Sequence, residues 1–174
     1  MMVYILDTNI FRKLLDHFPK KGVYFKQVWQ AFENGIQKGI YQSVDECYNE
    51  LSARYDDKND NMQWLKANKK MFLAPTNEES QIIRVLFQKP KMRESIHTKN
   101  IINNRPSADP YIAAKAKALS GIVVTEEKHK PHSAQLPNIC EELGIQCITY
   151  DDFMEIVSNG DHPKYCVNLR YGVE

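Results

Sequence analysis

No apolar run in the 174 residues approaches the roughly eighteen needed to cross a bilayer, so a helical membrane span is excluded. The start of the chain has no basic stretch leading into a long apolar one, so no signal peptide is expected and the protein reads as cytoplasmic. Its four cysteines, Cys47, Cys140, Cys147 and Cys166, form no C-x-x-C pair, and His129, His132 and His162 do not complete a zinc spacing with them. Reduced, buried thiols are the expected state. There is no internal repeat and no low-complexity segment. Charge of one sign is also missing: the net charge is +1, so total charge argues neither for nor against a nucleic-acid partner. What remains is an ordinary globular composition, 43% hydrophobic and 26% charged, in one domain over residues 1–158, followed by a partly ordered tail over 159–174.

The chain is organised around Val3-Tyr4-Ile5-Leu6-Asp7-Thr8-Asn9-Ile10-Phe11. Four apolar residues run into an acid, a hydroxyl and an amide, and apolar residues then resume at helical spacing through Leu14 and Leu15. A short continuous apolar run with a turn signal behind it reads as a buried parallel strand. Asp7, Thr8 and Asn9 all suit a helix cap. Asp7 therefore falls at the carboxyl end of a strand, where open α/β sheets bind ligands; a simple capping role would place it there as well.

Beyond it, helical patterns are expected over Phe25–Lys38, Met62–Lys70 and Glu78–Gln88, with a short strand at Ile40–Gln42. Ser43-Val44-Asp45-Glu46 reads as a capping box opening a helix with Val44, Cys47, Tyr48, Leu51 and Tyr55 inward. Phe72–Pro75 is an edge strand or a turn. Residues 89–105 read as a basic loop or a short, weakly held helix. Ser107 is expected to cap a helix over Ala108–Leu119, with Asp109 and Pro110 in its first turn. Ile122–Thr125 and Gln146–Ile148 are further buried strands, the first followed by a polar loop over Glu126–Gln135. Short helices follow at Pro137–Leu143 and, capped by Thr149, at Tyr150–Val157. Strands alternating with helices predict an α/β protein, three layers α/β/α around a central, mainly parallel sheet.

Glu126 and Glu127 leave the carboxyl end of a buried strand as Asp7 does, and parallel strands present those ends on one side. Glu50 lies about 60° outside the apolar stripe of its helix, a boundary position that suits a site residue or a solvated surface acid. Carboxylates held together repel, and a fold keeps them so mainly to bind a cation. Oxygen donors without a Cys/His set favour Mg²⁺ or Mn²⁺.

Four segments, Leu6-Asp7-Thr8-Asn9, Tyr48-Asn49-Glu50-Leu51, Ala108-Asp109-Pro110-Tyr111-Ile112-Ala113-Ala114-Lys115-Ala116 and Val123-Val124-Thr125-Glu126-Glu127, resemble the acidic motifs of PIN-domain nucleases and occur in that family's order over residues 2–157. The resemblance is nearest to a PIN-like branch of prokaryotic proteins catalogued as a domain of unknown function, beside the VapC-type toxins. It implies a PIN-like fold and metal-dependent hydrolysis of RNA phosphodiesters. Asp7, Glu50, Asp109 and Glu127 would be the catalytic and metal-binding acids; Glu127 stands where the family more often has aspartate, which leaves Glu126 as a competitor. Thr8, Asn9 and Thr125 would orient carboxylates or a water on the cation. Asp7 and Asp109 would bind the metal. Glu50 and Glu127 would orient or deprotonate the attacking water, or help hold a second ion.

An RNA substrate needs positive charge beside the acids. Lys89, Lys91, Arg93, Lys99 and Arg105 precede Asp109, and Lys128, His129, Lys130 and His132 follow Glu127, so both runs are candidate phosphate contacts or a solvated surface. A VapC-like toxin would have a small antitoxin partner and often a homodimeric state. Two other readings stand beside the ribonuclease: a catalytically inactive PIN-like RNA- or protein-binding module, and a phosphatase or DNA-directed nuclease of related fold. Phosphatases of the haloacid dehalogenase type require D-x-D after the first strand, and here the residue two after Asp7 is Asn9.

Overall fold

The first strand, β1 (Tyr4–Leu6), is buried along its whole length. The computed structural model describes residues 2–20, 23–103, 107–131 and 133–159, with the side chains of residues 99, 102, 103 and 159 outside that description. β1 is the centre of a five-stranded sheet ordered β3-β2-β1-β4-β5, with β2 at Tyr41–Val44, β3 at Phe72–Leu73, β4 at Ile122–Val124 and β5 at Cys147–Ile148. All four pairings are parallel, with Tyr4 opposite both Tyr41 and Ile122, and Leu6 opposite Val124. β1 and β4 read as uninterrupted apolar runs because helices cover both faces of the sheet. From β1 the chain winds out to β3, then returns to the other side of β1 through β4. The order of strands reverses there, which opens a crevice at the carboxyl ends of β1 and β4.

The helices are α1 (Thr8–His17), α2 (Lys26–Gln37), α3 (Asp45–Ser52), α4 (Asp60–Ala67), α5 (Asn77–Gln88), α6 (Pro90–Asn103), α7 (Asp109–Leu119), α8 (Leu136–Leu143) and α9 (Tyr150–Asn159). Among the described residues none is long and apolar enough to cross a membrane. α7 packs on β1, β2 and β4 and is flanked by α5 and α8. On the opposite face Tyr4 and Tyr41 meet Phe32 of α2 and Phe153 of α9, with ring centroids 5.1–6.2 Å apart. α2 comes close because Gly35 has no side chain: a Cβ there would lie 2.1 Å from the Tyr41 ring. Gly121, ahead of β4, passes close over the Val3 carbonyl, where a Cβ would lie 2.8 Å from the oxygen.

One ion pair lies inside the α5–α7 interface. Lys115 Nζ reaches Glu79 Oε1 at 2.9 Å, and both side chains are buried. The other oxygen of Glu79 accepts the Thr76 N–H, closing a capping box at the start of α5.

Three local expectations are corrected. Ser43 is not a helix cap: it lies inside β2, buried, with its hydroxyl donating to the Leu6 carbonyl at 2.7 Å, while α3 starts after Val44 with no side-chain cap. The strand accordingly sits later than Ile40–Gln42. Residues 90–103 are a 14-residue helix rather than a loop or a short helix. Pro90 fits its first position and Met92 and Ile96, one turn apart, face the core. Ser107 is replaced as N-cap of α7 by Ala108, although its Oγ does accept the Asp109 N–H at 3.4 Å. The tail expected over 159–174 lies, beyond Asn159, outside the described residues.

Candidate metal centre and nucleic-acid site

Asp7 is the N-cap residue of α1 but makes no side-chain capping bond. Its Oδ2 is directed across the sheet edge, accepting from Thr125 Oγ1 at 2.6 Å and from Asn9 Nδ2 at 2.5 Å. Asn9 Nδ2 also donates to Thr125 Oγ1 at 3.0 Å, and Asn9 Oδ1 accepts the Glu126 N–H. Thr125 Oγ1 in turn accepts the Glu127 N–H at 3.1 Å. The turn after β1 is thereby stitched to the turn after β4, and the β1 carboxylate is fixed by two side chains that start from opposite ends of the domain.

Asp7, Glu50, Asp109 and Glu127 line one cavity of about 310 Å³ above this seam, together with Thr8, Asn9, Ser107, Arg12 and Arg54. Asp7 and Asp109 are buried, whereas Glu50 on α3 and Glu127 after β4 are half-buried. Glu126 does not line the cavity. One of its oxygens accepts the Tyr150 N–H at the start of α9 and the other pairs with Lys13 at 2.9 Å. Glu127 is oriented from α8, whose Leu136 N–H donates to its Oε2 at 2.8 Å.

Gathering these acids has an electrostatic consequence. The Asp7 carboxyl is pushed up to about 8, first by burial and then by the charges of Asp109 and Glu127, against the stabilising hydrogen bond from Thr125. A divalent cation offsets that repulsion. Among the described residues no three Asp, Glu, His or Cys side chains converge closely enough to ligate one ion directly. A hydrated ion would suit this donor set better: Mg²⁺ keeps several waters and takes one or two carboxylates, and the buried pair Asp7 and Asp109 would be the ones to hold it. Glu50 and Glu127 would reach it through water.

The family described as "Domain of unknown function (DUF4411)" matches residues 4–158. The chain belongs to this family. Its fold is three-layered, α/β/α, with a parallel sheet of order β3-β2-β1-β4-β5 between helices. No curated protein matches the sequence. Similar solved structures include VapBC2 from Rickettsia felis bound to a DNA fragment from its promoter (14% identity, 85% of this chain and 98% of that one, TM-score 0.48). VapBC-1 from nontypeable Haemophilus influenzae (16%, 86% and 99%, 0.46) and PAE2754 from Pyrobaculum aerophilum (12%, 91% and 98%, 0.43) are others.

In this DUF4411 domain those basic residues expected from sequence that are described lie elsewhere than the cavity wall. Lys89 pairs with Glu142 of α8, Lys91 and Arg93 are exposed on α6, and Lys128 and Lys130 are exposed in the loop before α8. The Lys99 side chain, Arg105 and His132 are outside the described residues. The two cations that do line the cavity, Arg12 and Arg54, were not singled out by sequence reading. Helical spacing held the signal, since Arg12 is one turn beyond Thr8 and Arg54 is four residues beyond Glu50.

Proposed function

We propose that this domain is a metal-dependent endoribonuclease, using Mg²⁺ or Mn²⁺ to hydrolyse RNA phosphodiester bonds. The observation that carries the reading is the meeting of Asp7, Glu50, Asp109 and Glu127 in one cavity at the strand-order reversal. Asp7 and Asp109 would hold the cation. When bound, it would neutralise charge on the phosphate and acidify water. Glu50 and Glu127 would accept the proton of a water attacking phosphorus, as the bond to the leaving ribose oxygen breaks and that oxygen takes up a proton. Thr125 and Asn9 hold Asp7 in place. RNA as substrate, and a toxin role with a small antitoxin and a second copy of the chain as partners, follow from the resemblance of the four motifs to VapC-type nucleases.

The test is incubation of the purified protein with RNA, single-stranded DNA and a generic phosphate ester, in Mn²⁺ and in chelator. RNA cleavage that needs Mn²⁺ and falls at least about a hundredfold in Asp109→Asn is the expected result. Preferential DNA cleavage would move the assignment to a DNA-directed nuclease. RNA binding without cleavage in any metal would make the domain a binding module. Growth arrest on expression, relieved by a small protein encoded beside it, would mark the toxin role.

A further inference from the structure

We infer that Arg12 and Arg54 hold backbone phosphates next to the one being cleaved, so that the nucleic-acid strand crosses the cavity over the rim formed by α1 and the end of α3. The inference rests on the nuclease reading of the same cavity. Charge gives the first reason. Four ionised carboxylates and one divalent cation would leave the cavity at −2, which repels a phosphodiester; the two arginines that line it bring the lining to zero, or to −1 with the Asp16 carboxylate that Arg54 pairs with. Geometry gives the second. Arg54 follows α3, and its Nη2 pairs with Asp16 Oδ2 at 2.9 Å, while Asp16 Oδ1 accepts the Tyr55 hydroxyl at 2.7 Å. Asp16 lies one helical turn beyond Arg12 on α1, so one carboxylate fixes Arg54 on the Arg12 side of the cavity. A guanidinium has five donors in a fixed fork, and this bond engages Nη2, leaving a planar group suited to two oxygens of a phosphate. Both arginines are exposed, and both line the cavity that Glu50, Thr8 and the two buried aspartates also line.

The experiment is fluorescence anisotropy of a labelled twelve-nucleotide RNA with the whole chain, in Ca²⁺, over a series of salt concentrations. Each phosphate contact to a single strand contributes about 0.7 to the slope of log affinity against log salt. Arg12→Gln and Arg54→Gln should each reduce the slope by about that amount and weaken binding by roughly tenfold. Arg54→Lys should keep the slope but lose affinity, because a point charge cannot replace the fork. Lys38→Gln, at the far end of α2, is the control of equal charge change. Wild-type slopes in both glutamine variants would overturn the assignment. RNA cleavage by the wild type in Mn²⁺ is read in parallel. Cleavage with unchanged slopes sinks the arginine assignment alone. Reduced slopes without cleavage sink the ribonuclease reading and leave the arginines as nucleic-acid contacts.

Discussion

Lys115 Nζ and Glu79 Oε1 meet at 2.9 Å where α7 crosses α5, and neither side chain has more than 3% of its surface in contact with water. Removing either partner strands a charge in the core. Lys115→Met should therefore destabilise the protein by about 3–5 kcal/mol, while Lys115→Met combined with Glu79→Leu should recover most of that, less about 1 kcal/mol for the lost capping bond to Thr76. Urea unfolding of the two single variants and the double variant closes the cycle. Additive losses would mean that the pair is not coupled.

Asp7 makes stability fall with rising pH. Its carboxyl is raised from 3.8 to about 8, so between those values the folded state keeps a proton that the unfolded chain has released. The folded state then binds more protons, and unfolding becomes easier as pH climbs through that window. Melting scans in chelator from pH 5 to pH 8.5, with pH as the only variable, should show a decline that Asp7→Asn largely abolishes. An equally steep decline in Asp7→Asn would place the effect elsewhere.

Cation binding should reverse the same penalty. At about ten times its dissociation constant, Mn²⁺ should add about 1.4 kcal/mol, or roughly 3–5 °C in Tm. Asp7→Asn should melt at or above the wild-type temperature without metal and gain little with it. Equal gains in both proteins would remove Asp7 from the ligand set.

Gly35→Ala should lower stability by about 1–3 kcal/mol despite the better helix propensity of alanine, worth about 1 kcal/mol. The new Cβ would sit 2.1 Å from the Tyr41 ring, which Phe32 and Phe153 hold from two sides, so the ring has nowhere to go. Chemical denaturation measures the change, and a neutral result would show that α2 can lift from β2.

The layers of the fold were legible because the two central strands announced themselves chemically. Tyr4–Leu6 and Ile122–Val124 are short apolar runs ended by polar groups, and helices of 3.6-residue period follow them. Three of the four acids lining the cavity stood at legible positions, since Asp7 and Glu127 leave strand ends and Asp109 opens a helix, whereas Glu50, at the edge of its helix's apolar stripe, was marked only by the resemblance of its motif. Ser43 misled because a hydroxyl three residues before a glutamate is the pattern of a cap, and only the depth of β2 in the sheet turns that hydroxyl to the Leu6 carbonyl. α6 was hidden by its charge, since Met92 and Ile96 supply its inward face among basic and polar neighbours. Glu126 and Glu127 could not be separated from adjacency alone; their different partners, Tyr150 on α9 and Leu136 on α8, are set by tertiary packing. Arg12 and Arg54 went unread because each is one exposed arginine among many, and only the approach of α1 to α3 brings them together.

The bond from Thr125 to Asp7 joins residues 118 positions apart, and the central strand cannot gain its β4 neighbour until that length of chain exists. On the ribosome, at roughly 5–20 residues per second, the interval is on the order of 6–24 s. For that time the nascent chain carries Asp7 without Thr125 or Glu127, and for most of it without Asp109. The acid set of the cavity is therefore complete only after most of the domain has been synthesised.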